Sequence, residues 1–380
     1  MKTFMNISKH PVAAIVFLMA ATVSVSPAKQ GSASATSAPR IENAKMETRA
    51  VKGTLSVTLA EIQKNGAGAT WLGYAVKVVA GERTICCGNF NVSGAEGCGR
   101  CELETERDHW SGARGSHDGN KGTVNLEGGN ALLVLFRLQD HHVTRIRLAS
   151  EDCVLDAGGM PLVWLTDVKQ AESVAALAEY VRKGDSSEHD WRSTSNEALT
   201  AIALHDGHEA EAALEEFTAA SQPEELRKQA SFWLGAARGK EGFLALQRMA
   251  KSDSSTDVRA HVAFALSVSK EPAALDEMIR MAHQDTDGHV RGQAIFWLAQ
   301  KAGKRAVGAI DSAIENDPDT DVKKKAVFAL SQLPKDEGVP KLIQVAESNH
   351  NPAVRKQAMF WLGQSQDPRA LEFFERVLTR

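Results

Sequence analysis

The sequence predicts an α+β chain in which a small β-rich N-terminal region is followed by an all-α solenoid of stacked helix pairs. Three observations carry this. First, Leu226-Arg227, Val258-Arg259, Val290-Arg291, Val322-Lys323 and Val354-Arg355 each stand 32 residues beyond the last, with Phe232, Phe264, Phe296, Phe328 and Phe360 six positions after the aliphatic residue and a leucine two further on. Second, Phe243, Leu275, Val307, Val339 and Leu371 keep the same interval, and so do Leu246, Met278, Ile310, Leu342 and Phe374 three positions later. Third, all five cysteines and a run of glycines fall in the first half, where short alternating segments replace the period. A fixed period of this size marks a repeat that buries its apolar stripe only against its neighbours.

In chain order, Lys2, Lys9 and His10 precede an apolar run from Val12 to Val25, and Ser26-Pro27-Ala28 supplies small residues where a signal peptidase reads. Residues 1–28 are therefore expected to be a signal peptide cleaved near Ala28, which makes the mature protein exported, periplasmic or secreted. Residues 29–50, rich in Ser, Ala, Lys and Thr without a period, are expected to be a flexible leader. Residues 51–166 are expected to form a cysteine-bearing β-rich domain. Its strand candidates are 71–79, 123–126 and 162–165, and 131–138 with 143–148 form a hairpin around Asp140-His141-His142. Residues 167–380 are expected to be the solenoid, with 171–181 and 196–204 as its first helical segments.

Turn chemistry agrees with the period. Ser255, Asp287, Asp319 and Asn351 share one column at the expected N-cap, and Pro352 follows at the first helical position, where its missing N–H costs nothing. The stretches 319–348 (DTDVKKKAVFALSQLPKDEGVPKLIQVAES) and 351–378 (NPAVRKQAMFWLGQSQDPRALEFFERVL) resemble HEAT repeats of the short bacterial type also found in phycobilin lyases. The resemblance covers roughly residues 170–380. The whole chain resembles exported bacterial HEAT-repeat proteins with an N-terminal cysteine-bearing β domain, a family without an assigned role. The first repeat departs from the pattern, with Thr200 in place of phenylalanine and Ser195-Asn196 in place of the arginine. That departure implies an N-terminal cap that mates with the β domain.

At about 100° per residue, placing the Val column at 0° puts the alanine, Trp/Ala and leucine columns between about 340° and 80°, the stripe that must be buried. The phenylalanines fall near 240°, among Lys228, Lys324 and Lys356 on one side and Gln229, His261, Gln293, Lys325 and Gln357 on the other. Two readings follow. One is an aromatic ladder lining the concave groove, its rings about 8–10 Å apart like packed helices and so able to clamp side chains of a partner. In the other, each ring folds sideways over the next repeat, complementing the alternation Trp233, Ala265, Trp297, Ala329, Trp361. The Arg/Lys column is expected to hydrogen-bond the turn of the preceding repeat.

The cysteines point to structural disulfides among Cys86, Cys87, Cys98 and Cys101, with Cys153 the thiol left over. The zinc alternative uses Cys86 (or Cys87), Cys98, Cys101 and a fourth ligand such as His109 or Cys153. Cys98-Gly99-Arg100-Cys101 has thioredoxin-like spacing but lacks the strand before it and the helix after it. Asp140-His141-His142 and His205-Asp206-Gly207-His208 are expected to be turns. No nucleophile elbow, phosphate loop, dinucleotide fingerprint or His-Glu-x-x-His helix occurs. Formal charge is -4, and about -6 without Lys2 and Lys9, which argues against a nucleic-acid partner.

The expected function is a non-enzymatic exported scaffold without cofactor, binding a protein or peptide through Phe264, Phe296, Phe328, Phe360, His261, Gln293, Lys325 and Gln357. The alternative makes the N-terminal region a metal-binding or thiol-redox module with the helices as its mount. Membrane insertion is not expected, and a homodimer through the C-terminal end is.

Overall fold

The computed structural model describes residues 39–65, 68–80, 84–86, 89–91, 100–104, 130–151, 153–184 and 193–379. The expected signal peptide and residues 29–38 of the expected leader lie outside them, as do Cys87, Cys98, His109 and the strand candidate 123–126. These described residues all belong to one compact unit.

The N-terminal part contains strands β1 (Ile41–Glu42) and β2 (Lys45–Ala50), helix α1 (Leu55–Asn65), then β3 (Thr70–Lys77), β4 (Thr84–Cys86), β5 (Asn89–Asn91), β6 (Arg100–Glu102), β7 (Ala131–Gln139), β8 (His142–Ser150), β9 (Val154–Asp156) and β10 (Pro161–Thr166). A five-stranded sheet runs β2-β10-β3-β7-β8, a three-stranded one β1-β9-β6, and β4 pairs with β5. β10 is parallel to both β2 and β3, whereas β3, β7 and β8 are antiparallel. The β7–β8 hairpin forms as expected. Asp140 and His141 both have positive φ, which a two-residue hairpin loop requires, and His141 Nδ1 lies 2.6 Å from the Gln63 carbonyl oxygen at the end of α1.

Two sequence expectations need correction here. Residues 41–50, assigned to the flexible leader, form β1 and β2. Their backbone groups are claimed by β9 and β10, although every side chain of β2 is exposed. Residues 55–65 are helical, because Leu55, Leu59 and Ile62 at i, i+4 and i+7 bury one face against the sheet.

The sheet has apolar residues on both faces. Leu72, Tyr74, Val76, Val134 and Phe136 join α1 and the first helices of the stack in one core, while Trp71, Leu133, Leu135 and Trp164 meet Cys101, Leu103, Cys153 and Leu155 from the small sheet. Cys101 and Cys153 are both disulfide-bonded and buried. Cys153 is therefore not a left-over thiol, and Cys101, its sulfur already bonded, is not available as a zinc thiolate.

The helices follow as α2 (Gln170–Lys183), α3 (Thr194–Leu204), α4 (His208–Phe217), α5 (Glu224–Ala237), α6 (Gly239–Ser252), α7 (Thr256–Val268), α8 (Ala273–Gln284), α9 (Gly288–Ala302), α10 (Val307–Asn316), α11 (Thr320–Ser331), α12 (Lys335–Ser348), α13 (Pro352–Gln364) and α14 (Pro368–Leu378). The Val-Arg helices α5, α7, α9, α11 and α13 contact one another in succession and form one layer, and their partner helices pack behind them. The N-caps are as expected: Ser255, Asp287, Asp319 and Asn351 each accept a backbone N–H from the first turn of α7, α9, α11 and α13.

The first helices meet the sheet. The Val79 N–H donates to the Leu204 carbonyl at 2.8 Å and the Asp206 N–H to the Lys77 carbonyl at 2.9 Å, so the turn after α3 continues the edge of β3. Beside it runs a buried chain. His205 Nδ1 lies 2.6 Å from the Ala201 carbonyl oxygen, which can only accept, so Nδ1 carries the proton and Nε2 accepts. Ser173 Oγ donates to Nε2 at 2.8 Å, and Tyr74 donates to Ser173 at 2.7 Å. This is the mating of first repeat and sheet that the departures at 195–200 implied.

Candidate functional site

The repeat places its phenylalanines half-buried on the solvent side of the Val-Arg layer, and Phe360 is 54% exposed. They do not stand as separate rungs. Phe232 and Phe264 stack with centroids 5.8 Å apart and planes 15° apart, and Phe296 and Phe328 stack at 5.9 Å and 4°. Between the pairs an indole intervenes: Trp297 lies 4.7 Å from Phe264 and edge-on to Phe296 at 4.9 Å, while Trp361 lies 4.8 Å from Phe328 and edge-on to Phe360 at 5.0 Å. Trp233 sits edge-on to Phe232 at 5.1 Å and begins the row.

The expected even spacing of about 8–10 Å is corrected accordingly. Where the Trp/Ala column holds Ala265 or Ala329, the ring of that repeat leans back onto the previous phenylalanine. Where it holds Trp297 or Trp361, the indole fills the space. The two sequence readings therefore merge: the rings fold sideways over neighbouring repeats and still form an unbroken half-exposed strip. Offset or edge-on pairs at these separations are the favourable aromatic geometries. The strip has no open slots between its rings for a partner's side chain to enter, so what it offers is a surface.

The polar residues beside the strip are placed individually. His261 is edge-on to Phe264 at 5.4 Å, with Nδ1 3.1 Å from Ser231 Oγ. Ser231 gives its own proton to the Lys228 carbonyl at 2.7 Å, so His261 Nδ1–H is the donor and Nε2 is left as an acceptor. Burial, seconded by the charge of Lys228, lowers the His261 pKa to about 4, so the ring is neutral near pH 7. Lys325 lays its stem across Gly292 of the preceding repeat, where any Cβ would collide with it. Gln293 and Gln357 are half-buried beside their rings.

The Arg/Lys column does reach the preceding turn: Arg259, Arg291 and Arg355 donate from Nη1 to the carbonyls of Asp253, Asp285 and Asn349 at 2.8–2.9 Å. Sequence reasoning missed the other edge of the guanidinium. Arg227, Arg259 and Arg291 each grip a carboxylate 26 residues further on, Asp253, Asp285 and Asp317, through both Nε and Nη2. That aspartate column was visible as a 32-residue series. Burial alone would raise the Asp285 and Asp317 carboxyls, but the Arg259 and Arg291 hydrogen bonds and charges hold both below the usual carboxylate range. Where the column changes, both members change together, to Lys323 and Asn349.

The fold and this face define an α-solenoid of HEAT type carrying a small β-rich N-terminal region. The family model for HEAT repeats matches residues 210–299 and 309–380. Among solved structures the chain is similar to human deoxyhypusine hydroxylase, with 16% identity over 55% of this chain and 90% of that one at a TM-score of 0.29. It is also similar to Kap95p, known from a complex with RanGDP, with 17% identity over 55% of this chain and 32% of that one at a TM-score of 0.35. Kap121p bound to Pho4p matches with 12% identity over 55% of this chain and 27% of that one, at a TM-score of 0.34. The chain thus spans about a third or less of either Kap protein. Comparison with curated proteins finds no match. No helix among the described residues is long and apolar enough to cross a membrane.

Proposed function

We propose that this protein is a non-enzymatic binding scaffold that holds a protein or peptide against the aromatic strip of its solenoid. The observation that carries the reading is the unbroken row from Trp233 to Phe360, half-exposed along one layer and flanked by His261, Gln293, Lys325 and Gln357. Rigid aromatic area with hydrogen-bonding neighbours is what interface hot spots are made of. The bound segment lies across the rings and does not thread between them. Phe264, Phe296, Phe328 and Phe360 supply the contact area, and the polar residues fix the register.

Affinity capture from the exported fraction identifies the partner, and the double variant Phe296→Ser, Phe328→Ser then tests the strip. The expected outcome is loss of most of the binding with the fold retained. Unchanged affinity for the captured partner would show that the strip is not the site.

Export remains part of the proposal. The bonded, buried Cys101 and Cys153 support maturation in an oxidising compartment, where disulfides persist. Mass spectrometry of the secreted chain should find Lys29 as its first residue. Pairing of two copies through the C-terminal end is also proposed, because the last helix leaves Leu371, Val377 and Leu378 exposed.

A further inference from the structure

The two edges of the five-stranded sheet are finished differently. At β8 the edge is closed: α3 packs against it, and Glu197 Oε2 takes the Ile146 N–H at 2.9 Å. At β2 it is open. The parallel register sets Lys45, Glu47 and Arg49 against Pro161, Val163 and Leu165, and the Lys45 and Val51 N–H groups at either end donate to the Met160 and Thr166 carbonyls. The odd-numbered residues therefore bond inward to β10, while Met46, Thr48 and Ala50 each point an N–H and a C=O away from the sheet. Among the described residues no hydrogen bond reaches those outward groups, and all six side chains of the strand are exposed. β2 has neither the proline nor the bulge that commonly blunts an edge. Its charges shield it little, because Arg49 Nε and Nη2 donate to both carboxylate oxygens of Glu47 at 2.5 and 2.9 Å and the two side chains neutralise each other.

We propose that a second copy of the chain pairs at this edge, β2 antiparallel to β2 about a two-fold axis through Thr48. A strand can bond its twin only in registers that set outward residues opposite outward residues, and a two-fold contact must be self-complementary. The sequence of the strand selects one such register. With the axis at Thr48, Thr48 faces its own copy, Met46 faces Ala50, and every outward N–H and C=O of the strand gains a partner. Each Glu47 then lies opposite the Arg49 of the other copy, so the four charges alternate in sign across the axis. An axis at Glu47 would set that carboxylate against itself and Lys45 against Arg49, and one at Arg49 would oppose two guanidiniums. Axes at Met46 or Ala50 would pair half of the strand with residues outside it. The joined sheet is continuous from one β8 through both β2 strands to the other, and its only open edges have closed each other. This contact is separate from the aromatic strip and from the C-terminal pairing proposed above.

Sedimentation equilibrium of the full chain across a concentration series tests it. Wild type should reach twice the monomer mass. Thr48→Pro removes the outward N–H on the axis and leaves the bonds to β10 in place, so it should be monomeric with an unchanged thermal melt. Glu47→Lys and Arg49→Glu each set like charges across the axis, and each should weaken self-pairing about tenfold. Mixed in equal amounts, these two variants should pair with each other, because one strand then presents cations at both positions and the other carboxylates. A monomeric wild type overturns the proposal, as does a dimer that survives Thr48→Pro, or charge variants that fail to rescue one another. A dimer abolished only by Leu371→Glu with Leu378→Glu lies at the C-terminal end and overturns it too. Phe296→Ser with Phe328→Ser should pair as the wild type does, so failure of the strip and failure of the sheet edge are told apart.

Discussion

Arg227 and Asp253 lock the first regular repeat to itself. Nε and Nη2 of the arginine reach the two carboxylate oxygens at 3.0 and 3.1 Å, with side chains only 6% and 2% exposed. Removing one member of such a pair strands the other. Arg227→Met should therefore cost about 3–5 kcal/mol in urea unfolding, while Arg227→Met with Asp253→Leu should recover part of that loss. Additive losses in the cycle would mean that the two side chains act separately.

Gly235 and Gly363 occupy one column and should respond oppositely to alanine. Gly235→Ala drives a methyl into the Ala265 carbonyl and should lower stability by about 2 kcal/mol through forced separation of α5 and α7. Gly363→Ala meets open space and should gain up to about 1 kcal/mol from helix propensity. Melting temperatures of the two single variants decide this.

His205 makes the fold sensitive to mild acid. Burial, opposed by its hydrogen bond to the Ala201 carbonyl and seconded by Arg238, lowers its pKa from 6.5 to about 4. The unfolded chain then binds a proton between those values that the native state refuses, so stability is complete above pH 6.5 and falls as pH drops toward 4. The loss is on the order of 3 kcal/mol from this residue, with His261 acting in the same direction. Chemical unfolding at pH 7 and pH 5 should show the drop, and it should shrink in His205→Gln.

Trp297 fills the space between the two stacked phenylalanine pairs. Trp297→Ala should cost roughly 2–3 kcal/mol, less than a fully buried indole because the ring is part-exposed. Trp233→Ala, at the start of the row, should cost less, and thermal melts of the two variants compare them.

The solenoid was legible because its apolar columns have no other way to leave water, and the caps at Ser255, Asp287, Asp319 and Asn351 are local chemistry. The N-terminal part was less so. β2 has six exposed side chains and no alternation to read, and only parallel pairing with the distant β10 makes it a strand. α1 mixes β-branched Val57 and Thr58 into a short helix whose face matters only once the sheet exists. At the candidate site, the columns put the phenylalanines on the solvent side of the layer, where the structure has them. They could not give the ring separations, because side-chain lean depends on whether the facing repeat holds alanine or tryptophan. The forward grip of Arg227 on Asp253 escaped for a similar reason: it joins residues 26 apart, an interval meaningful only after two helices have closed.

The indoles Trp233, Trp297 and Trp361 recur at twice the interval of the phenylalanines. The unit of growth in this solenoid is therefore two hairpins. Inserting or deleting a single hairpin would set tryptophan against tryptophan, or alanine against alanine, leaving a clash or a hole, whereas changes of 64 residues keep the sequence of rings in step. Length variants of this architecture should differ by even numbers of hairpins across the region 226–363.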